Sequence, residues 1–169
     1  MKLHRASADD APALAAMASI IWPEAFSDMI SGAQIDYMLE HIQSAPAMRR
    51  QITEGTHYWF IEAHEQRIGY AAMRHDADER VSHLSKLYIL ADARGGATSE
   101  QALSLLCEDA RAAGSERLSL TVNKYNPRAI RFYEKHGFTK SREIVLDIGG
   151  GFIMDDYVMD KTLQTENGK

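Results

Sequence analysis

Cysteine and long apolar runs are nearly absent from this sequence of 169 residues. Cys107 is its only cysteine, so the chain can form neither an internal disulfide nor a zinc site of the Cys-x-x-Cys kind. A lone cysteine fits a reducing compartment, and we expect a cytoplasmic protein. The most apolar segment, residues 13–22, is about half as long as the ~20 residues that a membrane-spanning helix needs. We therefore expect neither a disulfide scaffold nor a membrane protein.

An excess of positive charge is also missing. The formal net charge is -5, and the chain contains no long basic run. Residues 1–80 contain 7 Lys and Arg against 12 Asp and Glu, whereas residues 81–169 contain 12 of each kind. Nucleic-acid binding depends on basic groups that neutralise phosphates, so we set that class of function aside. The acidic excess of the first half would either form an ordinary solvated surface or attract a cationic partner.

The composition that remains is that of an ordinary soluble globular domain. Hydrophobic residues make up 45% of the chain and charged residues 25%, with 11 Gly and 4 Pro. This is enough apolar material for a core, and too little Pro and Gly for a disordered chain. The length corresponds to one domain. We predict a single domain over residues 1–161 and a flexible C-terminal tail over residues 162–169.

The spacing of apolar residues predicts a layered α/β domain. Pro23 should end the first helix near Ile21, because proline disfavours the helical conformation of the residue before it. Thr98 and Asn126 are predicted to cap later helices. In chain order we predict a strand at 2–6, helices up to 21 and at 31–44, a short helix after Pro46, strands at 58–63 and 68–73, a loop at 75–80, a strand at 84–90, a helix from 98 to Gly114, a strand at 117–122, a helix from Pro127 to Gly137, and strands at 139–148 and 152–161.

The sequence lacks the motifs of several enzyme classes. No serine stands in a Gly-x-Ser-x-Gly elbow, and Cys107 lies on the apolar stripe of its predicted helix, where a core role is expected. The seven histidines form no His-x-His or His-Glu-x-x-His pattern, so we expect no metal site. The glycines at 149–151 lie between two predicted strands, which indicates a turn and not a phosphate loop.

One loop has the composition of an anion site. The segment Arg94–Ser99 follows a predicted strand and opens a predicted helix. Unpaired amides at the start of a helix, together with the helix dipole, favour a phosphate group. An ordinary turn between a strand and a helix has the same composition, so the loop alone leaves both interpretations open.

A second segment carries a more specific signal. Residues 126–138 read Asn-Pro-Arg-Ala-Ile-Arg-Phe-Tyr-Glu-Lys-His-Gly-Phe. At nearly every position this segment resembles the motif Asn-x-x-Ala-x-x-Phe-Tyr-Glu-Lys-x-Gly-Phe of the GNAT superfamily of N-acetyltransferases. Segments 84–90, 94–99, 118–123 and 155–159 are also similar to that family and follow its order. The resemblance covers residues 57–161 and implies an α/β fold with a mixed, mostly antiparallel sheet of about seven strands and helices on both faces.

The resemblance also implies roles for individual residues. Acetyl-coenzyme A would be the cosubstrate, with its pantetheine arm held by backbone groups of Leu87, Tyr88 and Ile89 and by Asn126. The pyrophosphate would be bound by the loop of Arg94, Gly95, Gly96, Ala97, Thr98 and Ser99, and Lys135 would meet a phosphate of the nucleotide. Tyr133 would lie beside the thioester sulfur and act as the general acid. Ala97 and Ser99 stand where the family usually has glycine, or alanine at the second position, and Glu100 adds a negative charge beside them.

These roles imply an N-acetyltransferase that moves an acetyl group to a primary amine by direct attack. The acceptor would be a small amine, a polyamine or a peptide amine, and a base must first deprotonate its ammonium group. Glu24, Glu40 and His83 are candidates for that base. The alternative is a coenzyme A-binding or sensor module of the same fold with weak or lost catalysis, which the altered loop would explain. By family habit, a homodimer is the oligomeric state to test.

Overall fold

The computed structural model describes residues 1–95 and 97–164. Within these residues, no helix is long and apolar enough to cross a membrane. Two short 3-10 turns, Ala8–Asp10 and Ala91–Ala93, precede the first and fourth α-helices. The strands and α-helices in chain order are β1 (Lys2–Ala6), α1 (Ala11–Phe26), α2 (Gly32–His41), α3 (Ala45–Thr53), β2 (His57–Ala63), β3 (Gln66–Asp76), β4 (Val81–Ile89), α4 (Ala97–Ala112), β5 (Arg117–Asn123), α5 (Pro127–Lys135), β6 (Thr139–Gly149) and β7 (Phe152–Thr162).

The strands form one seven-stranded sheet in the order β1-β2-β3-β4-β5-β7-β6. The pairs β1 with β2, β2 with β3, β5 with β7 and β6 with β7 are antiparallel. β4 and β5 run parallel, in a register that extends from the pair Val81↔Arg117 to the pair Leu84↔Leu120. The predicted α/β class with a mixed, mostly antiparallel sheet is therefore confirmed.

The chain divides into two compact units. The first unit consists of Met1–Arg74 and Lys86–Leu105, and the second of His75–Ser85 and Leu106–Lys169. Thr162, the first residue of the predicted tail, is the last residue of β7. The next residue, Leu163, is buried, and its amide N–H donates to the Glu116 carbonyl at 2.8 Å. The end of that predicted tail, residues 165–169, lies outside the described residues.

Each unit has its own set of buried side chains. In the first unit, four consecutive residues of β2 are buried, so this strand is covered on both faces. The largest fully buried side chains of that unit are Trp22, Tyr58, Tyr70, Phe60, Leu14, Ile21, Met48, Ile61 and Met73. In the second unit, Leu106, Leu118, Phe138 and Met159 are buried. Cys107 is buried as well, and burial raises the pKa of its thiol, in agreement with a core role.

The first helix does not end where the sequence predicted, because α1 continues through Pro23 to Phe26. Proline has no N–H, so the carbonyl of Ser19, four residues earlier, loses its helical partner. Ser19 is exposed, and water can satisfy that carbonyl. In return, Trp22 is buried and the Phe26 ring packs on it with ring centroids 4.4 Å apart. Packing of the last turn therefore outweighs the local preference of proline.

Two further helix boundaries differ from the prediction. α2 ends at His41 and not at Ser44, because Ser44 caps the next helix by accepting a hydrogen bond from the Ala47 amide at 3.3 Å. α4 begins at Ala97, so Thr98 lies inside its first turn and does not cap it. Capping of α5 by Asn126 occurs as predicted. β3 also extends to Asp76, two residues into the segment predicted as a loop.

Candidate active site

The end of β4 carries the residues predicted to hold the pantetheine arm. Residues 86–89 of this strand belong to the first unit. The three predicted residues are all at least half-buried: Leu87, Tyr88 and Ile89. On the neighbouring strand β3, a Cβ added at Gly69 would collide with the carbonyl oxygen of Tyr88. Close contact with β3 therefore fixes the β4 backbone at Tyr88.

The Tyr88 ring packs in an aromatic cluster of the first unit. Its centroid lies 5.4 Å from Trp22, 5.4 Å from Tyr70 and 5.9 Å from Phe26. The Trp22 indole donates to the Tyr70 hydroxyl at 3.3 Å, and this hydroxyl donates to Gln43 Oε1 at 2.9 Å. The cluster therefore holds the Tyr88 side chain through ring packing and keeps its buried polar atoms hydrogen-bonded.

The loop predicted to bind the pyrophosphate connects β4 to α4 in the first unit. Arg94 is extended, and Gly95 has a φ of +94°, which favours glycine. A Cβ added at Gly95 would meet nothing within 4 Å, so the backbone faces open space there. Gly96, the next predicted site residue, lies outside the described residues. The other predicted residues of the loop, Ala97, Thr98 and Ser99, form the first turn of α4.

Arg94 gives this loop an unused hydrogen-bond donor. Its Nε atom is buried and has no hydrogen-bond partner among the described residues. A buried donor without a partner is costly, and a bound anion would remove that cost. The Thr98 amide donates to the Gly95 carbonyl at 3.3 Å, and the other amides of the first turn of α4 supply further donors of the same polarity. The donor set therefore fits a phosphate group, although Glu100 places a carboxylate in the same turn.

Asn126 begins α5 in the second unit. Its side-chain Oδ1 accepts a hydrogen bond from the Ala129 amide at 3.1 Å, and Pro127 follows at the first helical position. This oxygen is therefore occupied by the helix cap. A contact between Asn126 and a pantetheine amide would use the side-chain NH₂ group as donor.

Tyr133 lies on the same helix, about two turns after its start. Its ring is half-buried and packs against Phe132 and Phe138, with centroid distances of 5.2 Å and 5.4 Å. Burial raises the pKa of the Tyr133 phenol well above its ordinary value. The hydroxyl therefore keeps its proton at neutral pH, which is the state required of a proton donor.

The remaining predicted residues are more exposed. Lys135 is exposed at the last position of α5. Two of the predicted bases, Glu24 and Glu40, are exposed in the first unit, and Glu40 lies 3.8 Å from the ring of His41. His83 is half-buried in the second unit. Glu24 and Glu40 are therefore surface residues, and His83 is the one of the three that is partly buried.

Lys86 is a buried ionisable residue that the sequence analysis did not single out. It is 6% exposed, and its Nζ lies 2.5 Å from the Tyr58 hydroxyl, 3.2 Å from Gln51 Oε1 and 3.5 Å from the Ile42 carbonyl oxygen. Burial lowers the pKa of Lys86 to about 7. The period-two alternation of a strand places Lys86 on the same face of β4 as Tyr88, a signal that the sequence already contains.

Asp156 in β7 is the corresponding buried group of the second unit. It is 4% exposed, and its Oδ1 has no hydrogen-bond partner among the described residues. Burial, followed by the nearby charge of Asp155, raises the pKa of Asp156 to about 6, and Lys124 acts in the opposite direction. Both shifts move a buried group towards its neutral form.

Comparison with known proteins agrees with this arrangement. Residues 14–138 match the profile of the Acetyltransferase (GNAT) family. Uncharacterized N-acetyltransferases of Mycobacterium bovis and Mycobacterium tuberculosis are 30% identical over 154 residues, which is 91% of this chain and 98% of theirs. The PaiA N-acetyltransferase of Thermoplasma acidophilum in complex with coenzyme A superposes with a TM-score of 0.78 at 19% identity, covering 95% of this chain and 98% of its own. A chimeric spermidine N-acetyltransferase from Vibrio cholerae gives a TM-score of 0.69 at 15% identity, covering 96% of both chains.

These matches confirm the family that the motif at residues 126–138 predicted. The family profile includes β4, the Arg94 loop and α5, and so covers each element that carries a predicted site residue. The chain therefore belongs to the Acetyltransferase (GNAT) family and is an acetyl-coenzyme A-dependent N-acetyltransferase.

Proposed function

We propose that the protein transfers the acetyl group of acetyl-coenzyme A to a primary amine by direct attack of the amine on the thioester. The observation that carries this proposal is the match of residues 14–138 to the acetyltransferase family, within which the Tyr133 ring is held on α5 against Phe132 and Phe138. A departing thiolate needs a proton, and a phenol that keeps its proton can supply it. Direct attack also needs no enzyme nucleophile, in agreement with the buried position of Cys107.

Residues of the first unit would bind and orient the cosubstrate. A main-chain amide of β4 near Tyr88 would donate to the oxyanion that forms when the amine attacks the thioester carbonyl. Such a donor must hold its position during the reaction, and the contact of Gly69 with the Tyr88 carbonyl restricts the backbone at that point. Arg94 Nε and the first turn of α4 would bind the pyrophosphate, since both offer N–H donors.

The acceptor that we propose is an amine carrying net positive charge. Residues 1–80, of which all but 75–80 belong to the first unit, contain 12 acidic against 7 basic residues. Such a field attracts cations over a distance of about 10 Å at ordinary ionic strength. A polyamine fits this requirement, and one structural neighbour is a spermidine N-acetyltransferase. The affinity for the acceptor should weaken as salt rises, and an anionic acceptor without salt dependence would contradict this assignment.

A coenzyme A-binding or sensor module is the second candidate. The observation that favours it is the composition of the first turn of α4. Ala97 and Ser99 stand there where the family usually has glycine, or alanine at the second position, and Glu100 adds a negative charge. A side chain near the pyrophosphate and a carboxylate in the same turn both weaken anion binding. Such a module would bind coenzyme A and transfer nothing.

One pair of measurements distinguishes the two candidates. Acetyl-coenzyme A turnover is followed against a panel of small amines, polyamines and peptide amines, and cofactor affinity is measured by isothermal titration. Turnover on at least one amine is the expected result. Tight binding without turnover on any amine would contradict the proposed transfer and favour the module. Gel filtration of the same preparation tests the homodimer that family habit suggests.

A further inference from the structure

Lys86 occupies an unusual position for a lysine. It is 6% exposed, in a sheet strand, two residues before Tyr88 and on the same face of β4. Lysine is almost never fully buried without a charged partner. The three groups that contact its Nζ are all neutral: the Tyr58 hydroxyl of β2, Gln51 Oε1 of α3 and the carbonyl oxygen of Ile42 at the end of α2. In the part of the chain that the structure describes, no carboxylate forms an ion pair with it.

These partners satisfy the Lys86 nitrogen in both of its protonation states. As an ammonium group it can donate three hydrogen bonds, one to each oxygen. As a neutral amine it can donate to Gln51 and Ile42 and accept the hydroxyl proton of Tyr58. The change requires only that the Tyr58 proton turns from Gln51 Oε1, which lies 2.5 Å away, to the lysine nitrogen. No heavy atom has to move for the proton to be gained or lost.

Three phenols lie in or beside this cluster: Tyr58, Tyr70 and Tyr88. Tyr58 from β2 contacts the Lys86 amine. Burial raises the pKa of Tyr58, and the electrostatic effect of Tyr88 from β4 adds a smaller increase. Burial also raises the pKa of Tyr70 from β3, and the electrostatic effects of Tyr88 and Tyr58 raise it further. Tyr58 and Tyr70 keep their protons at neutral pH, because burial raises the pKa of both phenols. The lowered pKa of Lys86, about 7, makes it the group of this cluster that can take up a proton.

We propose that Lys86 is the proton acceptor for the acceptor amine, reached through the Tyr58 hydroxyl that contacts its Nζ. The ammonium group of the acceptor gives a proton to the Tyr58 hydroxyl, and Tyr58 passes its own proton to the neutral Lys86 amine. The bond broken is the N–H bond of the acceptor, and the bond formed is an N–H bond on Lys86. Lys86 later returns this proton to solvent.

The second proton of the acceptor nitrogen follows a separate route. It leaves as the amide forms, while Tyr133 protonates the thiolate and is itself reprotonated. The net reaction therefore releases one proton for each ammonium acetylated. This inference rests on the proposed transfer to an amine, but it names a base that differs from Glu24, Glu40 and His83.

The pH dependence of the Lys86→Met variant tests the inference. Without the base, only acceptor molecules that are already neutral can react, and for an alkylammonium with a pKa near ~10 that fraction rises about tenfold per pH unit. With spermidine or another alkylamine that the wild type acetylates, we expect kcat/KM of the variant to be reduced by about 10²- to 10³-fold at pH 7.5. The deficit should shrink about tenfold per pH unit and nearly vanish at pH 9.5.

Two further variants separate this role from a structural one. Tyr58→Phe retains the lysine but cuts the route to it, and should give the same pH-dependent deficit. Tyr70→Phe removes a buried hydroxyl of the same unit that bonds Gln43 and Trp22 but not Lys86. That control should leave the shape of the pH profile unchanged. A deficit in Lys86→Met that is equal at pH 7.5 and pH 9.5 would overturn the proposed role.

A spectroscopic measurement does not depend on turnover. The side-chain NMR signals of Lys86 in the unliganded protein should titrate near neutral pH. A Lys86 that remains charged at pH 9 would overturn the base assignment even if the enzyme is active. If the wild type acetylates no amine at all, the proposed transfer fails and this role fails with it, whatever the Lys86 titration shows.

Discussion

Lys86 in the first unit and Tyr133 in the second experience the same physical effect with opposite chemical results. Burial lowers the pKa of the Lys86 amine to about 7 and raises the pKa of the Tyr133 phenol, because in both cases the charged form loses hydration. The amine can therefore give up its proton near neutral pH, whereas the phenol keeps it. Groups whose surroundings shift their pKa values in opposite senses are the usual base and acid of a reaction. In the proposed reaction, burial alone would create such a pair, without a carboxylate or a histidine.

The two groups also differ in what surrounds them. Lys86 is contacted by three neutral oxygens, whereas Tyr133 packs between the aromatic rings of Phe132 and Phe138. The first arrangement can hold a proton that arrives and leaves. The second fixes a ring in place and keeps its phenol neutral. The surroundings of Lys86 therefore suit the uptake of a proton, and those of Tyr133 suit the donation of one.

Removal of the proposed proton donor, Tyr133, should have the largest effect. Tyr133→Phe keeps the ring and its packing but deletes the hydroxyl, so kcat should fall by about 10²- to 10⁴-fold. The dissociation constant of acetyl-coenzyme A, measured by isothermal titration, should hardly change. Tyr125→Phe is the matched control, because Tyr125 belongs to the same unit and is 67% exposed. Wild-type turnover in Tyr133→Phe would remove Tyr133 from the comparison.

A backbone change beside Tyr88 should have the next largest effect. Gly69→Ala places a methyl group against the Tyr88 carbonyl oxygen, which belongs to the backbone and cannot rotate away. The free energy of unfolding, measured with urea, should fall by roughly 2 to 3 kcal/mol. Gly32→Ala is the control, since a Cβ at Gly32 meets nothing within 4 Å and lies at the start of a helix. Equal stability of both variants would show that β4 is free to move at Tyr88.

The pH dependence of the free energy of unfolding tests whether burial lowers the pKa of Lys86 in the folded protein. Its pKa is about 7 in the folded chain and 10.5 ordinarily, so between these values the unfolded chain binds one proton more. The free energy of unfolding should therefore rise with pH, by about 2 kcal/mol between pH 7.5 and pH 9. Below pH 7 the folded protein carries the full cost of burying a charged Lys86.

Urea titrations of wild type and Lys86→Met at several pH values measure this slope, which the variant should lack. The range from pH 7.5 to pH 9 lies above the pKa of Asp156, which is about 6, so Asp156 does not contribute to this slope. Asp156 gives a slope of opposite sign only at lower pH. A variant with the wild-type slope would show that Lys86 is charged in the folded protein.

Changes in the Arg94 loop should have the smallest effect, because this loop contains neither Lys86 nor Tyr133. The double variant Ala97→Gly and Ser99→Gly removes crowding near the proposed pyrophosphate, but adds backbone freedom costing up to ~1 kcal/mol for each glycine in the helix. The affinity for acetyl-coenzyme A should therefore rise by less than about tenfold. Glu100→Gln should add to the gain by removing a negative charge. A tenfold loss of affinity in both variants would show that these residues bind the cofactor directly.

Much of the fold could be predicted from local sequence signals. Asn126, Pro127 and Gly137 define α5 through a side-chain cap, a proline at the first helical position and a glycine with a φ of +92°. All three signals act within a few residues, and the structure shows each of them. The family itself followed from the residues between these boundaries.

The errors arose where packing over longer distances decides the outcome. Pro23 is a local signal for a helix end, but the burial of Trp22 against rings distant in sequence keeps α1 helical. Lys86 was overlooked for a related reason, since a lysine in a strand is usually exposed. Its environment depends on Gln51 and Tyr58, 35 and 28 residues away, and no local pattern records that juxtaposition.

The turn between β6 and β7 makes β6 the easiest strand to detach from the sheet. Gly149, Gly150 and Gly151 have φ values of +91°, +62° and +81°, so the turn orders three residues of the type that loses the most backbone freedom on folding. β6 has no fully buried residue to offset this loss, and its described pairing is with β7. Amide protons of β6 should therefore exchange with solvent before those of β5. Proteolysis of the native protein should begin in this hairpin while the rest of the chain stays folded.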